Sequence, residues 1–146
     1  MKKILYTLAL IAQIGLVTSA ATSVVAEDDL APENISGATT VDSGGVFDVF
    51  TKFDDLVIID SRKKRDYDAG HVEGATRLID VETDGASLAE VIPTKQTPVL
   101  FYCNGPKCGR AANSVKIAVE QGYEDIYYYY KGMNDWKDQG LPLVVE

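Results

Sequence analysis

Short apolar runs alternate with stretches of helical spacing from about residue 38 to the end of the chain. The runs over residues 56–59 and 98–102 lack polar alternation, so both faces of these strands should be covered, as in a parallel sheet. Further strands are predicted over residues 38–41, 75–78 and 125–130. Helices are predicted over residues 43–53, 63–69, 111–121 and 132–138, and a loop with a short helix over residues 80–92.

Strands that alternate with helices indicate an α/β fold, with a largely parallel sheet and helices on both of its faces. In such sheets, ligands bind beyond the carboxyl ends of the strands. Asp60 follows the strand at 56–59, and Cys103 follows the strand at 98–102. We therefore expect these two side chains at the same edge of the sheet, one strand apart.

Cys103 stands between a strand and a helix, at the start of a segment rich in turn formers such as Gly105, Pro106 and Gly109. The backbone N–H groups of such a loop and the start of the following helix favour an anion and lower the pKa of a thiol. We interpret Cys103 as a nucleophile with a lowered pKa.

The first 26 residues have the pattern of a signal peptide. The chain starts with a basic Met-Lys-Lys, residues 4–17 are mostly apolar, and small residues follow. Cleavage is predicted after Ala26, with Ala21 as the alternative. A retained membrane anchor is less favoured because the apolar run is short for a span. We expect export to the periplasm, with no membrane contact after cleavage.

The chain of 146 residues carries a formal net charge of −8, and loss of the leader with its two lysines makes the charge −10. An acidic domain repels nucleic acid and anionic lipid, so neither is expected as a partner. Positive side chains concentrate within residues 62–65 and 107–116, which indicates a small anionic substrate beside Cys103. Residues 27–37 are polar and acidic, and predict an exposed N-terminal arm before a domain over residues 38–146.

Cys103 and Cys108 are the two cysteines of the sequence. In an exported chain, two cysteines ordinarily indicate a structural disulfide, but such a short loop restrains the unfolded chain little. A chemical role is the better explanation. Two cysteines and the single histidine, His71, provide too few ligands for a metal site, so neither a metal nor another cofactor is expected.

Three ordered motifs resemble those of rhodanese domains. Residues 60–62, Asp-Ser-Arg, precede the segment 67–75, Tyr-Asp-Ala-Gly-His-Val-Glu-Gly-Ala, which resembles the N-terminal rhodanese signature. Residues 132–136, Gly-Met-Asn-Asp-Trp, resemble the C-terminal signature. Cys103 lies between the two signatures, at the position of the rhodanese catalytic cysteine. The resemblance spans about residues 42–143.

This resemblance implies a single module, expected to be a monomer, with a five-stranded, mainly parallel sheet. It implies a sulfurtransferase in which Cys103 accepts a sulfane sulfur from a donor such as thiosulfate and holds it as a persulfide. A thiophilic acceptor, such as cyanide or a thiol, then takes the sulfur. The loop residues expected to bind the donor are Asn104, Gly105, Lys107, Cys108, Gly109 and Arg110, and those expected to support the site are Asp60, Arg62 and His71.

Two cations of this loop, Lys107 and Arg110, are expected to bind the oxyanion of the donor. His71 is expected in a structural role rather than in a dyad with the cysteine. Asp60 either bonds the loop backbone or pairs with Arg62, for which an ion pair with Asp66 is also expected.

The sixth position of the loop is Cys108, where rhodanese domains often have arginine or another polar residue. Cys108 either packs against the helix or resolves a persulfide on Cys103 by forming a disulfide. A thiol-redox or sulfur-relay protein and a non-catalytic binding module are therefore alternative functions. A phosphatase is a minor alternative, because the spacing from Cys103 to Arg110 is Cys-x6-Arg and misses Cys-x5-Arg by one residue.

Overall fold

A computed structural model describes residues 29–145 of the chain. The signal peptide predicted over residues 1–26 lies outside the described residues and stays a prediction. Among the helices of residues 29–145, none is long and apolar enough to cross a membrane.

Five parallel strands form one sheet in the order β1-β5-β4-β2-β3, as the alternation of strands and helices predicts. The strands are β1 (Thr39–Val41), β2 (Val57–Asp60), β3 (Ala75–Arg77), β4 (Val99–Tyr102) and β5 (Ile126–Tyr129). The helices are α1 (Ser43–Lys52), α2 (Lys64–Asp68), α3 (Gly85–Val91), α4 (Arg110–Glu120) and α5 (Gly132–Asp138), with a 3-10 turn at Asp80–Glu82. The predicted elements are confirmed, with ends shifted by one or two residues in most of them.

Side chains of β4 alternate between two cores, one on each face of the sheet. Val99, Phe101 and Cys103 belong to the core that α3 and α4 cover. Leu100 and Tyr102 belong to the core that α1 and α5 cover. The helices therefore lie on both faces, and the alternation directs Cys103 towards the side of the sheet where α4 begins.

The predicted exposed arm is only partly correct over its described residues, 29–37. Most of these residues are exposed, but Ile35 is 8% exposed and packs into the core beside α4. The backbone N–H of Ala31 also donates a hydrogen bond of 2.7 Å to the carbonyl of Pro106. The polar composition of the segment gave no sign that one of its apolar side chains, Ile35, is buried in the fold. Because Ala31 bonds to Pro106, the segment passes over the loop after β4.

A buried ion pair joins the carboxyl ends of β2 and β4. Arg62 is 1% exposed, and its Nη2 lies 2.6 Å from Oδ2 of Asp60 and 2.8 Å from the carbonyl oxygen of Gly70. The hydroxyl of Tyr102 donates to the same carboxylate at 2.6 Å and accepts from the backbone N–H of Val72 at 3.2 Å. Both charged groups are thus paired and hydrogen-bonded, as burial of charge requires.

The expected ion pair between Arg62 and Asp66 is wrong, because Asp60 occupies the guanidinium of Arg62. Asp66 instead lies 3.2 Å from Arg65. The carboxylate two residues before Arg62 is already fixed at the end of β2, so pairing with it needs no further ordering of a side chain.

We predict that Asp60→Asn lowers the free energy of unfolding by about 3–5 kcal/mol, because the buried charge of Arg62 loses its counterion. Urea unfolding measures this loss. The matched control is Glu82→Gln, which breaks an exposed pair with Arg77 (3.1 Å) and should cost less than about 1 kcal/mol. Equal losses in the two variants would contradict a structural role for the buried pair.

Candidate active site

The loop after β4 is held from outside by the start of α5. The backbone N–H of Met133 donates to the carbonyl of Cys103 at 2.8 Å, and that of Asn134 donates to the carbonyl of Asn104 at 2.9 Å. These carbonyl groups therefore point away from the interior of the loop. A further bond of 2.8 Å from the N–H of Cys108 to the carbonyl of Gly105 turns the loop back on itself.

This docking requires a glycine at position 132. Gly132 has φ +58, and a Cβ there would overlap the carbonyl oxygen of Cys103 and lie 3.0 Å from the backbone nitrogen of Gly105. Only a residue without a side chain lets the two backbones approach so closely at this φ. The glycine that begins α5 is thus a requirement of the loop.

The sulfur of Cys103 is enclosed by the loop. Cys103 is 3% exposed, and its thiol donates a hydrogen bond of 2.8 Å to the carbonyl oxygen of Cys108. The backbone N–H groups of Gly105 and Ala111 also interact with this sulfur. The predicted convergence of amides at Cys103 is thus limited to these two groups, because the sulfur also faces the carbonyl oxygens of Gly105 and Cys108 and borders the apolar core.

Cys108 carries the negative charge of the site. The neighbouring side chain of Cys103, the backbone N–H groups of Asn104 and Arg110, and the Arg110 guanidinium lower the pKa of Cys108 to about 5. Nη1 of Arg110 lies 3.3 Å from the sulfur of Cys108. A thiolate at this position is thus stabilised by a thiol, two amides and a cation.

The expected lowering of the pKa of Cys103 is wrong. Its hydrogen bond with Cys108, its burial and the charge of Cys108 all raise the pKa of Cys103. The Cys103 side chain, the backbone N–H groups of Asn104 and Arg110, and the Arg110 guanidinium all favour the negative charge of the pair at Cys108. The two sulfurs therefore titrate as a coupled pair, with ionisation favoured at Cys108.

A cavity of about 460 Å³ opens on the loop. Three of its lining residues were not predicted from the sequence: Asp80, Asn113 and Asn134. Asp80 accepts a hydrogen bond of 2.9 Å from Nδ2 of Asn113, which lies one turn after Arg110 on α4. The residues of the loop that line the cavity are those expected to bind the donor: Asn104, Gly105, Lys107, Cys108, Gly109 and Arg110.

The sequence profile of the family described as Rhodanese-like domain matches residues 50–139 of the chain. The chain belongs to this family. It is 28% identical over 92 residues to the uncharacterized protein YibN of Escherichia coli K12, a match that covers 62% of this chain and 62% of that protein. The chain thus spans less than two thirds of the length of this relative.

Another relative is the thiosulfate sulfurtransferase GlpE of Pseudoalteromonas translucida, with 31% identity over 86 residues, or 58% of this chain and 75% of that protein. Among solved structures, the polysulfide-sulfur transferase of Wolinella succinogenes superposes with a TM-score of 0.61 and 23% identity. That match covers 75% of this chain and 80% of the other, and it supports the rhodanese-like fold.

Two of the three residues expected to support this rhodanese site lie at the sheet edge beside the loop. Asp60 and Arg62 form the buried pair at the ends of β2 and β4. Arg62 also borders a neighbouring cavity of about 430 Å³, which shares Asn104 and Asn134 with the first cavity. The pair therefore lies next to Asn104 and Asn134, which also line the candidate active site.

His71 occupies a structural position in the rhodanese domain. Its ring stacks on that of Tyr67 with 3.8 Å between centroids, and its Nδ1 lies 3.0 Å from the carbonyl oxygen of the same residue. Its backbone pairs with Val144 in an isolated bridge. The sulfur of Cys103 bonds the carbonyl oxygens of Gly105 and Cys108, whereas the ring of His71 bonds the carbonyl of Tyr67, so the described contacts form no dyad. In residues 29–145, no group of three or more side chains is arranged to hold a metal ion.

We predict that Gly132→Ala destabilises the rhodanese domain by about 1–3 kcal/mol more than Gly140→Ala, because the added methyl overlaps the loop backbone. Gly140 has a similar φ of +68, but a Cβ there meets no atom within 4 Å, so its cost of about 1–2 kcal/mol is that of φ alone. Urea unfolding of both variants gives the difference. Indistinguishable losses would show that the close approach of α5 contributes nothing.

We predict that iodoacetamide alkylates Cys108 at a rate that stays nearly level between about pH 6 and pH 9, since the thiolate is already formed above its lowered pKa. An ordinary cysteine, with a pKa of about 8.5, reacts progressively faster over this range. Peptide mapping by mass spectrometry separates Cys108 from the buried Cys103, which should react more slowly.

Removal of the Arg110 charge should raise the pKa of Cys108 and lower its alkylation rate at about pH 6 relative to pH 9. The variant is Arg110→Gln, and the matched control is Lys116→Gln, an exposed residue of the same helix, which should leave the profile unchanged. A profile that rises to pH 9 in the wild type contradicts the thiolate at Cys108.

Proposed function

We propose that the protein is a sulfurtransferase that takes a sulfane sulfur from a small anionic donor onto Cys103 and passes it to a thiophilic acceptor. The observation that carries the proposal is the position of Cys103 directly after β4, at the start of a loop whose cations Lys107 and Arg110 line an open cavity. The backbone N–H groups of Gly105 and Ala111 lie close enough to favour a negative charge on its sulfur. A persulfide is an anion, and amides fixed in place before the reaction stabilise such a charge as an oxyanion hole does.

The charge of the cavity supports an anionic donor. The chain has a formal net charge of −8, yet Lys107 and Arg110 both line the cavity beside Cys108. The single acidic residue of that lining, Asp80, accepts a hydrogen bond from Asn113. A donor such as thiosulfate meets Arg110 as a planar hydrogen-bond donor and Lys107 as a mobile point charge.

The two cysteines together supply the nucleophile. An anionic donor that binds Arg110 repels the negative charge of Cys108 and raises the pKa of that sulfur, so that the proton of Cys103 passes to Cys108. The resulting thiolate of Cys103 attacks the sulfane sulfur of thiosulfate. The bond between the two sulfurs of thiosulfate breaks, and its electron pair leaves with sulfite.

Transfer of the sulfur to the acceptor takes place in the same loop. The outer sulfur of the persulfide extends from Cys103 towards the cavity, where a cyanide ion or a thiolate attacks it. The bond to Cys103 breaks, thiocyanate or a new persulfide leaves, and the thiolate of Cys103 regains its proton from Cys108. The similarity to the thiosulfate sulfurtransferase of Pseudoalteromonas translucida supports thiosulfate as the first donor to test.

We predict that the protein forms thiocyanate from thiosulfate and cyanide, and that Cys103→Ser lowers this rate at least about 100-fold, because a hydroxyl is not ionised at neutral pH. Thiocyanate is measured by its ferric complex. Lys116→Gln serves as the control variant, and urea midpoints establish that both variants are folded.

A Cys103→Ser variant that keeps its activity would contradict the role of Cys103. A wild-type protein that forms no persulfide with either thiosulfate or inorganic polysulfide would favour a non-catalytic binding module instead. Turnover with polysulfide alone would retain the proposed transfer and change the donor.

A further inference from the structure

We propose that Cys108 is a resolving cysteine, which attacks the persulfide of Cys103, releases its outer sulfur as hydrosulfide and leaves a disulfide between Cys103 and Cys108. This inference rests on the proposed formation of a persulfide at Cys103. It assigns to the protein a second outcome of sulfur transfer, in which the sulfane sulfur leaves as sulfide without an external acceptor.

The loop brings the two cysteines together. The bond from the N–H of Cys108 to the carbonyl of Gly105 folds the loop, so that the sulfur of Cys103 lies 2.8 Å from the carbonyl oxygen of Cys108. Both cysteines are free thiols in the structure. An attack of one sulfur on the other therefore needs no rearrangement of elements outside the loop.

The two cysteines differ in exposure, which assigns a different role to each. Cys103 is 3% exposed, whereas Cys108 is half-buried and lines the cavity. The thiolate of Cys108 is held ready beside Arg110, with 3.3 Å between Nη1 and the sulfur. A nucleophile thus lies between the enclosed persulfide and the cavity into which a small anion departs.

The proposed step balances without a further reagent. After loading, Cys108 holds the proton that came from Cys103, and this proton first passes to the outer sulfur of the persulfide. The resulting thiolate of Cys108 then attacks the inner sulfur of the persulfide. A bond forms between the two cysteine sulfurs, the bond to the outer sulfur breaks, and its electron pair leaves on hydrosulfide. The sulfane sulfur gains two electrons, and each cysteine sulfur loses one.

A dithiol reductant must then restore the two thiols by thiol–disulfide exchange. The disulfide closes a loop of only a few residues, so it adds little to the stability of the fold. Its half-buried sulfur at Cys108 lines the cavity and is the sulfur that a reductant reaches first. Short and accessible disulfides of this kind are the ones that are reduced readily.

The test follows the fate of a preloaded persulfide. The protein, reduced and kept under nitrogen, is treated with thiosulfate, desalted to remove donor and sulfite, and incubated without an added thiol. We predict that the wild type loses its gain of about 32 Da and ends about 2 Da below the reduced mass, while one equivalent of hydrosulfide appears. Unloaded wild-type protein handled in parallel should keep the reduced mass.

Cys108→Ser should form the adduct of about 32 Da more slowly, because it lacks the proton acceptor of Cys103. Once formed, the adduct should last at least about ten times longer than in the wild type, because serine is no nucleophile towards a persulfide. Cys108→Ala separates loss of the nucleophile from loss of a hydrogen-bond partner, and it should behave as the serine variant does. Lys116→Gln should release hydrosulfide at the wild-type rate.

A wild-type adduct that lasts as long as that of Cys108→Ser would overturn the resolving role and leave the sulfurtransferase intact. Failure of both proteins to form an adduct would overturn the proposed function and this inference together. Release of hydrosulfide with the expected loss of about 2 Da in the wild type alone supports the inference.

Discussion

Two backbone hydrogen bonds fix the geometry on which the site depends. Met133 and Asn134, at the start of α5, donate to the carbonyl groups of Cys103 and Asn104 and so turn these oxygens outward. Holding these two carbonyl groups from outside leaves the N–H groups of Gly105 and Ala111 and the carbonyl oxygen of Cys108 facing the sulfur of Cys103. The approach of α5 requires a glycine at position 132, since any Cβ overlaps the loop.

The interior of the loop then decides where the negative charge lies. Amides surround both sulfurs, but the guanidinium of Arg110 contacts Cys108 alone. The thiol of Cys103 donates to its neighbour and stays protonated in the resting site. A buried nucleophile with a raised pKa and an accessible thiolate with a lowered pKa form a system that holds one proton between them. The proposed donor binding, proton transfer and resolution of a persulfide all depend on this single negative charge.

The carboxyl edge of the sheet is held by buried contacts, which give the loop a fixed starting point. The buried pair of Asp60 and Arg62 lies at the carboxyl end of β2, and Tyr102 at the end of β4 donates a hydrogen bond to it. The cost of burying these charges is offset by their complete hydrogen bonding. The pair also holds the carbonyl of Gly70, so the segment after α2 is attached to the same edge. The loop begins one residue after Tyr102 and starts from a fixed point.

The sequence by itself determined the parallel α/β sheet, the position of Cys103 beyond β4 and the residues of the loop. Apolar periodicity and turn chemistry are local properties that a chain carries in its order of residues. From the sequence we expected the negative charge at Cys103, whereas the tertiary contacts favour it at Cys108. The polar segment before β1 also gave no sign that Ile35 is buried. Asn134 and Asp80 in the wall of the cavity were also not predicted from the sequence. Only the tertiary structure decided these features, because a pKa depends on which groups lie within a few ångströms of a sulfur, and α5 and the segment before β1 reach the loop from distant parts of the chain.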